Sequence, residues 1–100
     1  MGSIVIARFF PKQGNEARVE AILREMVVHT RNEQGCRRYD LYQSGAAANE
    51  RTFALIEQYT DEAAIKAHRE TAHYKAYRAS ILDLLAKPID VAIVEPLDAR

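Results

Sequence analysis

The chain has 100 residues, and its 14 basic residues balance its 14 acidic ones. That length predicts one domain covering residues 1–100. The charge balance gives no electrostatic reason to expect nucleic acid or an anionic membrane as a partner. No apolar run approaches the roughly 18 residues of a membrane span, and the N-terminus lacks a signal-peptide pattern. Because the one cysteine, Cys36, cannot form an internal disulfide, a reducing cytoplasm is the expected location.

The first half of the chain predicts a strand, a helix and a second strand. Residues 4–10 are β-branched and aromatic, are apolar on both faces and end at Pro11, which is typical of a strand covered on both sides. Asn15 is the predicted N-cap of a helix that ends in the sequence NEQG, at Gly35. Residues 36–44 predict the second strand. The helix has a one-sided apolar stripe that consists of Val19, Ile22, Leu23, Met26 and Val27.

The second half of the chain predicts a hairpin, a helical region and a last strand. A small-residue loop at 45–51 joins the second strand to a third strand at residues 53–59. These two strands should therefore pair antiparallel. After the helical region, residues 89–95 form the fourth predicted strand.

The helical region between the third and fourth strands is predicted in two pieces. Thr60 opens the first piece, with Asp61 and Glu62 in its first turn, where negative charge suits the helix dipole. His68 lies on the apolar side of this piece. Thr71 caps the second piece, whose apolar stripe consists of Tyr74, Tyr77, Ile81, Leu84 and Leu85.

This order of elements predicts an α+β, ferredoxin-like fold, in which a four-stranded antiparallel sheet carries helices on one face. The strands at 4–10 and 89–95 carry apolar residues on both faces, so the face without helices needs a cover. We therefore expect a homodimer in which the two sheets pack together.

Three segments at matching spacing resemble a known family: GCRRYDLYQ, then FALIEQY, then EAAIKAH with HY following. Over residues 4–95 the chain resembles the antibiotic biosynthesis monooxygenase (ABM) domain family. In that family a G-C-x-x-Y segment precedes an acid-bearing strand and an A-H-x-x-x-x-H-[FY] helical region. The resemblance implies a dimeric α+β barrel of two ferredoxin-like subunits, with a pocket between the sheet and the helices of each subunit.

The resemblance specifies one fold but leaves several reactions open. The family includes cofactor-free quinol and polyketide monooxygenases, haem-degrading enzymes, an isomerase that processes phosphorylated autoinducer-2, and members with no known activity. Haem-degrading members depend on a tryptophan in the pocket. This chain has no tryptophan, so the haem branch is disfavoured.

His68 and Glu57 are the predicted catalytic residues. His68 shares a helix face with Ala64 and Ile65. It is either a core histidine satisfied by Glu57 or by a backbone carbonyl, or a general base of near-neutral pKa; the family pattern favours the base. Glu57 is a lone acid among apolar residues of its strand, so it must be paired or have a shifted pKa. It either orients His68, acts as a second acid or base, or pairs with an arginine.

The residues predicted to bind substrate are Tyr39, Tyr59, His73, Tyr74 and Tyr77. The tyrosines can line an aromatic pocket, although tyrosines at helical spacing also occur as core residues. His73 lies five positions after His68, which is about 140° around an unbroken helix. The pair therefore does not suit a metal ion unless the break near Thr71 redirects it, and we predict no metal ligand and no cofactor. The candidates for holding an anionic substrate are Arg37, Arg38 and Arg78, with a solvated surface as the default for each.

These features predict a cofactor-independent monooxygenase that oxidises a small quinol-like or polyphenolic aromatic. Such a substrate carries its own reducing power, so the protein needs to supply only a base, a dry pocket and positioning. One alternative is an isomerase of a small hydroxyketone, which would use the same base and, for a phosphorylated substrate, an arginine clamp. The other alternative is a dimer that binds a metabolite or a protein without catalysis.

Overall fold

The computed structural model describes residues 3–45, 47 and 50–100. Its strands form one antiparallel sheet in the order β2-β3-β1-β4, which confirms the predicted ferredoxin-like arrangement. The elements in chain order are β1 (Ser3–Phe9), α1 (Glu16–Arg31), β2 (Cys36–Ser44), β3 (Thr52–Tyr59), α2 (Glu62–Arg69), α3 (Ala72–Ile81), a short 3-10 helix (Leu82–Leu84) and β4 (Asp90–Val94). The predicted loop at 45–51 lies partly outside the described residues, at positions 46, 48 and 49.

Side-chain alternation along the strands defines the face of the sheet that the helices cover. In β1 the side chains of Val5, Ala7 and Phe9 are at most 4% exposed. Their partners on β3 place Phe53 and Leu55 on the same face, because cross-strand neighbours point to the same side. Residues of α1 and α3 pack onto this face, and the buried set from the helices is Val19, Leu23, Met26, Tyr77 and Ile81.

The opposite face of the sheet has an apolar centre and, among the described residues, carries no helix. Ile4 pairs with Val94, and Ile6 pairs with both Ile56 and Ala92. Ile4, Ile6 and Ile56 are only partly buried. Both faces of the central strand β1 therefore carry apolar side chains, as predicted. The face without helices also carries the exposed Arg8, and among the described residues it lacks a cover from within the chain.

The two predicted helix starts differ in how their ends are capped. Asn15 precedes α1, as predicted, but its side chain makes no capping hydrogen bond. Instead the carboxylate of Glu16 accepts the backbone N–H of Gly14 at 2.9 Å. The prediction that Thr60 opens α2 is wrong by one residue. Asp61 is the N-cap, and its carboxylate accepts the backbone N–H of Ala64 at 2.8 Å.

Thr71 separates α2 from α3, as predicted. Its hydroxyl donates to the backbone carbonyl of His68 at 2.7 Å and accepts the backbone N–H of Tyr74 at 3.2 Å. One side chain thus ends α2 and caps α3, which changes the direction of the chain between His68 and His73. No helix among the described residues is both long enough and apolar enough to cross a membrane.

Candidate functional site

His68 is held by a carboxylate from a distant part of the chain. Its side chain is almost fully buried on α2, and its Nδ1 atom lies 2.8 Å from Oε2 of Glu33. Burial lowers the pKa of His68. The hydrogen bond to Glu33 and the negative charge of Glu33 raise this pKa and so oppose the effect of burial. The net shift is downward, so the ring is neutral near pH 7 and retains a lone pair on one nitrogen.

Glu33 lies in the turn between α1 and β2, and that turn packs directly against α2. Its backbone N–H donates to Thr30 at 2.9 Å and its carbonyl accepts from Cys36 at 3.1 Å. The turn approaches α2 closely at Gly35, where an added Cβ would lie 2.5 Å from the Cβ of Ala64. Real Cβ atoms do not come this close. The absence of a side chain at Gly35 therefore allows Glu33 to reach His68.

His73 binds the same carboxylate oxygen from the other side. Its Nε2 atom lies 2.5 Å from Oε2 of Glu33, and its ring stacks on the ring of His29 with a centroid distance of 5.5 Å. The break at Thr71 changes the direction of the chain before His73. The sequence spacing allowed the two histidines to come together only if such a break occurred. Nδ1 of His68, Nε2 of His73 and a carboxylate oxygen of Glu33 all lie within 4.8 Å of one another.

Glu57 is buried but does not orient His68. Its Oε1 atom accepts a hydrogen bond of 2.6 Å from the hydroxyl of Tyr59. Burial raises the pKa of Glu57 to about 7, and the bond from Tyr59 opposes that rise. The orienting role considered for Glu57 therefore belongs to Glu33, which sequence reasoning missed. No local pattern marks Glu33, because its contact with His68 depends on the packing of the turn against α2.

A small cavity between the sheet and the helices brings several of the predicted residues together. Its volume is about 30 Å³, which is room for one or two water molecules, so a substrate needs side chains to move apart. The predicted site residues that line it are Tyr39, Glu57, His68, Tyr74 and Tyr77. Burial raises the pKa of Tyr39 and of Tyr77 well above the ordinary value. Both phenols therefore stay protonated and can donate hydrogen bonds to a ligand.

Two of the predicted substrate-binding residues lie outside the lining of this cavity. Tyr59 is fully buried behind it and packs on the ring of His68 at a centroid distance of 5.5 Å. His73 lies on the far side of Glu33. Of the predicted arginines, only Arg78 lines the cavity, where Arg69 joins it. Arg37 and Arg38 line a separate surface depression beside β2.

A model of the family described as antibiotic biosynthesis monooxygenase matches residues 3–80. The chain belongs to this family. It is 42% identical over 94 residues to "Putative monooxygenase Rv0793" of Mycobacterium tuberculosis, and the alignment covers 94% of this chain and 90% of that protein. It is 39% identical over 85 residues to "Putative monooxygenase YcnE" of Bacillus subtilis, at 85% coverage of both chains.

Solved structures of similar proteins agree with the fold. The structure of Rv0793 superposes with a TM-score of 0.89 at 39% identity and covers 99% of this chain and 98% of that chain. PA3566 from Pseudomonas aeruginosa superposes with a TM-score of 0.87 at 29% identity and covers 97% of this chain and 95% of that chain. Both curated relatives bear the name of a putative monooxygenase, and the fold of this ABM protein is that of the family.

Proposed function

We propose that this protein is a cofactor-independent monooxygenase that oxidises a small quinol-like or polyphenolic aromatic, with His68 as its general base. The observation that carries the proposal is the hydrogen bond of 2.8 Å between Nδ1 of His68 and Glu33. Since His68 also lines the cavity and Glu33 does not, the ring presents its other nitrogen, Nε2, to a bound substrate.

The carboxylate of Glu33 selects the tautomer that a base requires. A neutral histidine that donates Nδ1–H to a carboxylate has its lone pair on Nε2. That lone pair takes the proton of an acidic phenol or enol in the cavity. The negative charge of Glu33 then stabilises the imidazolium that forms. This division of roles is the one that a buried carboxylate has beside a histidine base in other enzymes.

The ionised substrate supplies the electrons for the reaction. One electron passes from the substrate anion to O₂, and the two radicals combine through a new C–O bond at a ring carbon that bears hydrogen. The resulting peroxide anion takes the proton back from the imidazolium of His68 and becomes a hydroperoxide. Loss of water from this hydroperoxide leaves a carbonyl, so one oxygen atom enters the product and the other leaves as water. The protein contributes the base, a cavity with little water and the positioning of the ring.

Residues of the cavity and the names of the relatives support this chemistry over the alternatives. Tyr39, Tyr74 and Tyr77 offer aromatic surface to a flat ring, and the protonated phenols of Tyr39 and Tyr77 can hold an anionic oxygen. The relatives bear monooxygenase names, which favours oxidation over isomerisation or binding without catalysis. Glu57, with its pKa raised to about 7, is proposed as a second acid or base near the same substrate.

We also propose that the protein is a cytoplasmic homodimer in which the faces without helices pack together. Ile4, Ile6 and Ile56 form the centre of that apolar face, and a second copy is the partner that covers it by symmetry. The single cysteine, Cys36, suits the reducing cytoplasm. Nucleic acid and membranes are not proposed as partners.

Oxygen uptake with a panel of quinols and polyphenols tests the proposed reaction. We expect the wild-type protein, purified without a tag and assayed with a chelator, to consume oxygen with at least one of them. His68→Ala should lose most of this uptake. Uptake that is equal in the wild-type protein and in His68→Ala would overturn the assignment of the base, and an inactive wild-type protein across the panel would overturn the substrate class.

A further inference from the structure

Glu33, His68 and His73 form a cluster of metal-ligating groups that base catalysis does not fully use. One ligand atom from each residue lies within 4.8 Å of the others. The three residues come from the turn after α1, from α2 and from α3, so the fold assembles the cluster from separate elements. We infer that this trio is a binding site for a divalent transition-metal ion of the zinc type.

The types of ligand decide which ions suit the site. Two imidazole nitrogens and one carboxylate oxygen match zinc, cobalt, nickel or iron(II), whereas magnesium and calcium prefer oxygen ligands alone. Three protein ligands leave at least one position open for water or another small ligand. Cys36, the only thiol of the chain, is outside the trio. The expected ligand set is therefore two nitrogens and one oxygen.

The distances within the trio need only a small adjustment for an ion to enter. The hydrogen bonds from His68 and His73 to Glu33 are 2.8 and 2.5 Å long. Ligand atoms around a tetrahedral ion with bonds of about 2.0–2.1 Å lie about 3.3 Å apart. Each contact must therefore lengthen by less than about 1 Å, which small side-chain rotations provide.

The trio is both held in place and reachable from solvent. The side chain of His68 is 4% exposed, whereas those of Glu33 and His73 are 16% and 22% exposed. An ion can therefore reach the carboxylate and His73 first and then replace the bond between Glu33 and His68. The stacking of His73 on His29 limits the rotation of the outer ligand, so binding loses little side-chain freedom.

Occupancy of the site has a consequence that rests on the proposed function. An ion on Nδ1 of His68 leaves the proton of the neutral ring on Nε2, the nitrogen that faces the cavity. The histidine then donates a hydrogen bond to the substrate and cannot accept its proton. Metal binding and base catalysis therefore exclude each other, and the ion acts as an inhibitor of the monooxygenase.

Cobalt binding tests the site without any substrate. Tag-free protein is titrated with Co²⁺, and the visible d–d absorption and its displacement by Zn²⁺ are recorded. We expect one ion per chain in the wild-type protein. His73→Ala and Glu33→Gln each remove a ligand near the surface and should weaken binding by tenfold or more. The matched control Cys36→Ser, which alters the only thiol of the sequence, should bind as the wild type does. His29→Ala, which removes the ring stacked on His73, should weaken binding less than His73→Ala.

Two results would overturn the inference. The first is wild-type protein that binds Co²⁺ no more tightly than His73→Ala or Glu33→Gln. The second is binding that Cys36→Ser abolishes, or that His29→Ala weakens as much as His73→Ala does. Oxygen uptake with and without Zn²⁺ then tests the inhibition separately. Binding without inhibition would leave the site in place and refute the mutual exclusion, and loss of the proposed activity would not affect the cobalt titration.

Discussion

Oε2 of Glu33 lies within hydrogen-bond distance of Nδ1 of His68, although 35 residues separate the two in the chain. This contact turns a buried histidine into an oriented one. The carboxylate satisfies Nδ1 and fixes the orientation of the ring. The same oxygen also binds His73, so the position of Glu33 governs both histidines of the site.

The charge of Glu33 predicts the pH dependence of the reaction. The negative charge and hydrogen bond of Glu33 raise the pKa of His68 against the larger lowering by burial. In Glu33→Gln the amide oxygen still accepts Nδ1–H, but the charge is lost, so the pKa of His68 falls further. We expect the acid limb of the kcat/KM profile, measured with a chelator, to move to lower pH while the plateau falls about tenfold to a hundredfold.

An unchanged profile in Glu33→Gln would contradict the orienting role. Glu70→Gln, at an exposed position at the end of α2, serves as the control because it removes an acid outside the cluster. It should leave both the plateau and the acid limb as they are in the wild-type protein.

Removal of His68 should affect turnover much more than removal of His73. A positioned general base contributes typically about 10²–10⁴-fold to a rate. We expect His68→Ala to lose about two or more orders of magnitude in kcat on a confirmed substrate while its circular dichroism stays native. His73→Ala should lose less, since His73 contacts Glu33 and does not line the cavity. A His68→Ala variant that keeps full activity, or that simply unfolds, would return His68 to the role of a core residue.

Sequence patterns predicted the fold well because the fold depends on local signals. The apolar stripe with Val19 and Leu23, the alternation in β3 and the caps around Thr71 each act within a few residues, and the structure places these elements as predicted. The Glu33 contact could not be predicted in this way. It depends on the approach of the turn at Gly35 to Ala64, and only the packed structure contains that distance.

Glu57 shows the same limit of prediction from local sequence patterns. The sequence predicted correctly that Glu57 is buried and needs a partner, because its neighbours along β3 are apolar. The identity of the partner was open. Tyr59, two residues along the same face of the strand, donates a hydrogen bond to Glu57. The carboxylate that contacts His68 is that of Glu33. The sequence around a lone carboxylate on a strand therefore predicts that the group is buried but does not identify its hydrogen-bond partner.

Burial of Glu57 predicts a fall in stability with rising pH. Its pKa rises from 4.5 to about 7 in the folded protein. The contribution of Glu57 to the free energy of unfolding is then fully present below about pH 4.5 and is lost as pH rises through about 7, by about 3 kcal/mol at most. Glu57→Gln lacks this titration, so its stability relative to wild type should increase between pH 5 and pH 8.

Urea unfolding of both proteins at several pH values measures this difference. The amide oxygen of Gln can still accept the hydroxyl of Tyr59, so the fold should be kept. A stability difference between wild type and Glu57→Gln that is constant from pH 5 to pH 8 would show that Glu57 does not titrate in this range.

Charge on the apolar face should separate the proposed dimer. Ile6 lies on the face without helices, between Ile56 and Ala92, so Ile6→Glu would place a carboxylate in the sheet-on-sheet contact. We expect sedimentation velocity to show a dimer for the wild-type protein at low micromolar concentration and a folded monomer for the variant. Leu97→Glu, at a fully exposed position of the tail, should remain dimeric. A wild-type protein that sediments as a well-folded monomer would refute the homodimer.

The close approach of the turn at Gly35 to Ala64 of α2 brings Glu33 to His68. In Gly35→Ala the new methyl group would lie 2.5 Å from the Cβ of Ala64, so the turn must move away from α2. We expect the variant to lose about 1–3 kcal/mol of stability through overpacking and to lose turnover because Glu33 moves away from His68. Ala64→Gly removes the other methyl group and alone should cost about 1 kcal/mol, since glycine weakens a helix. The double variant Gly35→Ala with Ala64→Gly should regain turnover, which a general loss of stability would not allow. If Gly35→Ala keeps wild-type turnover and stability, the contact between the turn and α2 does not position the base.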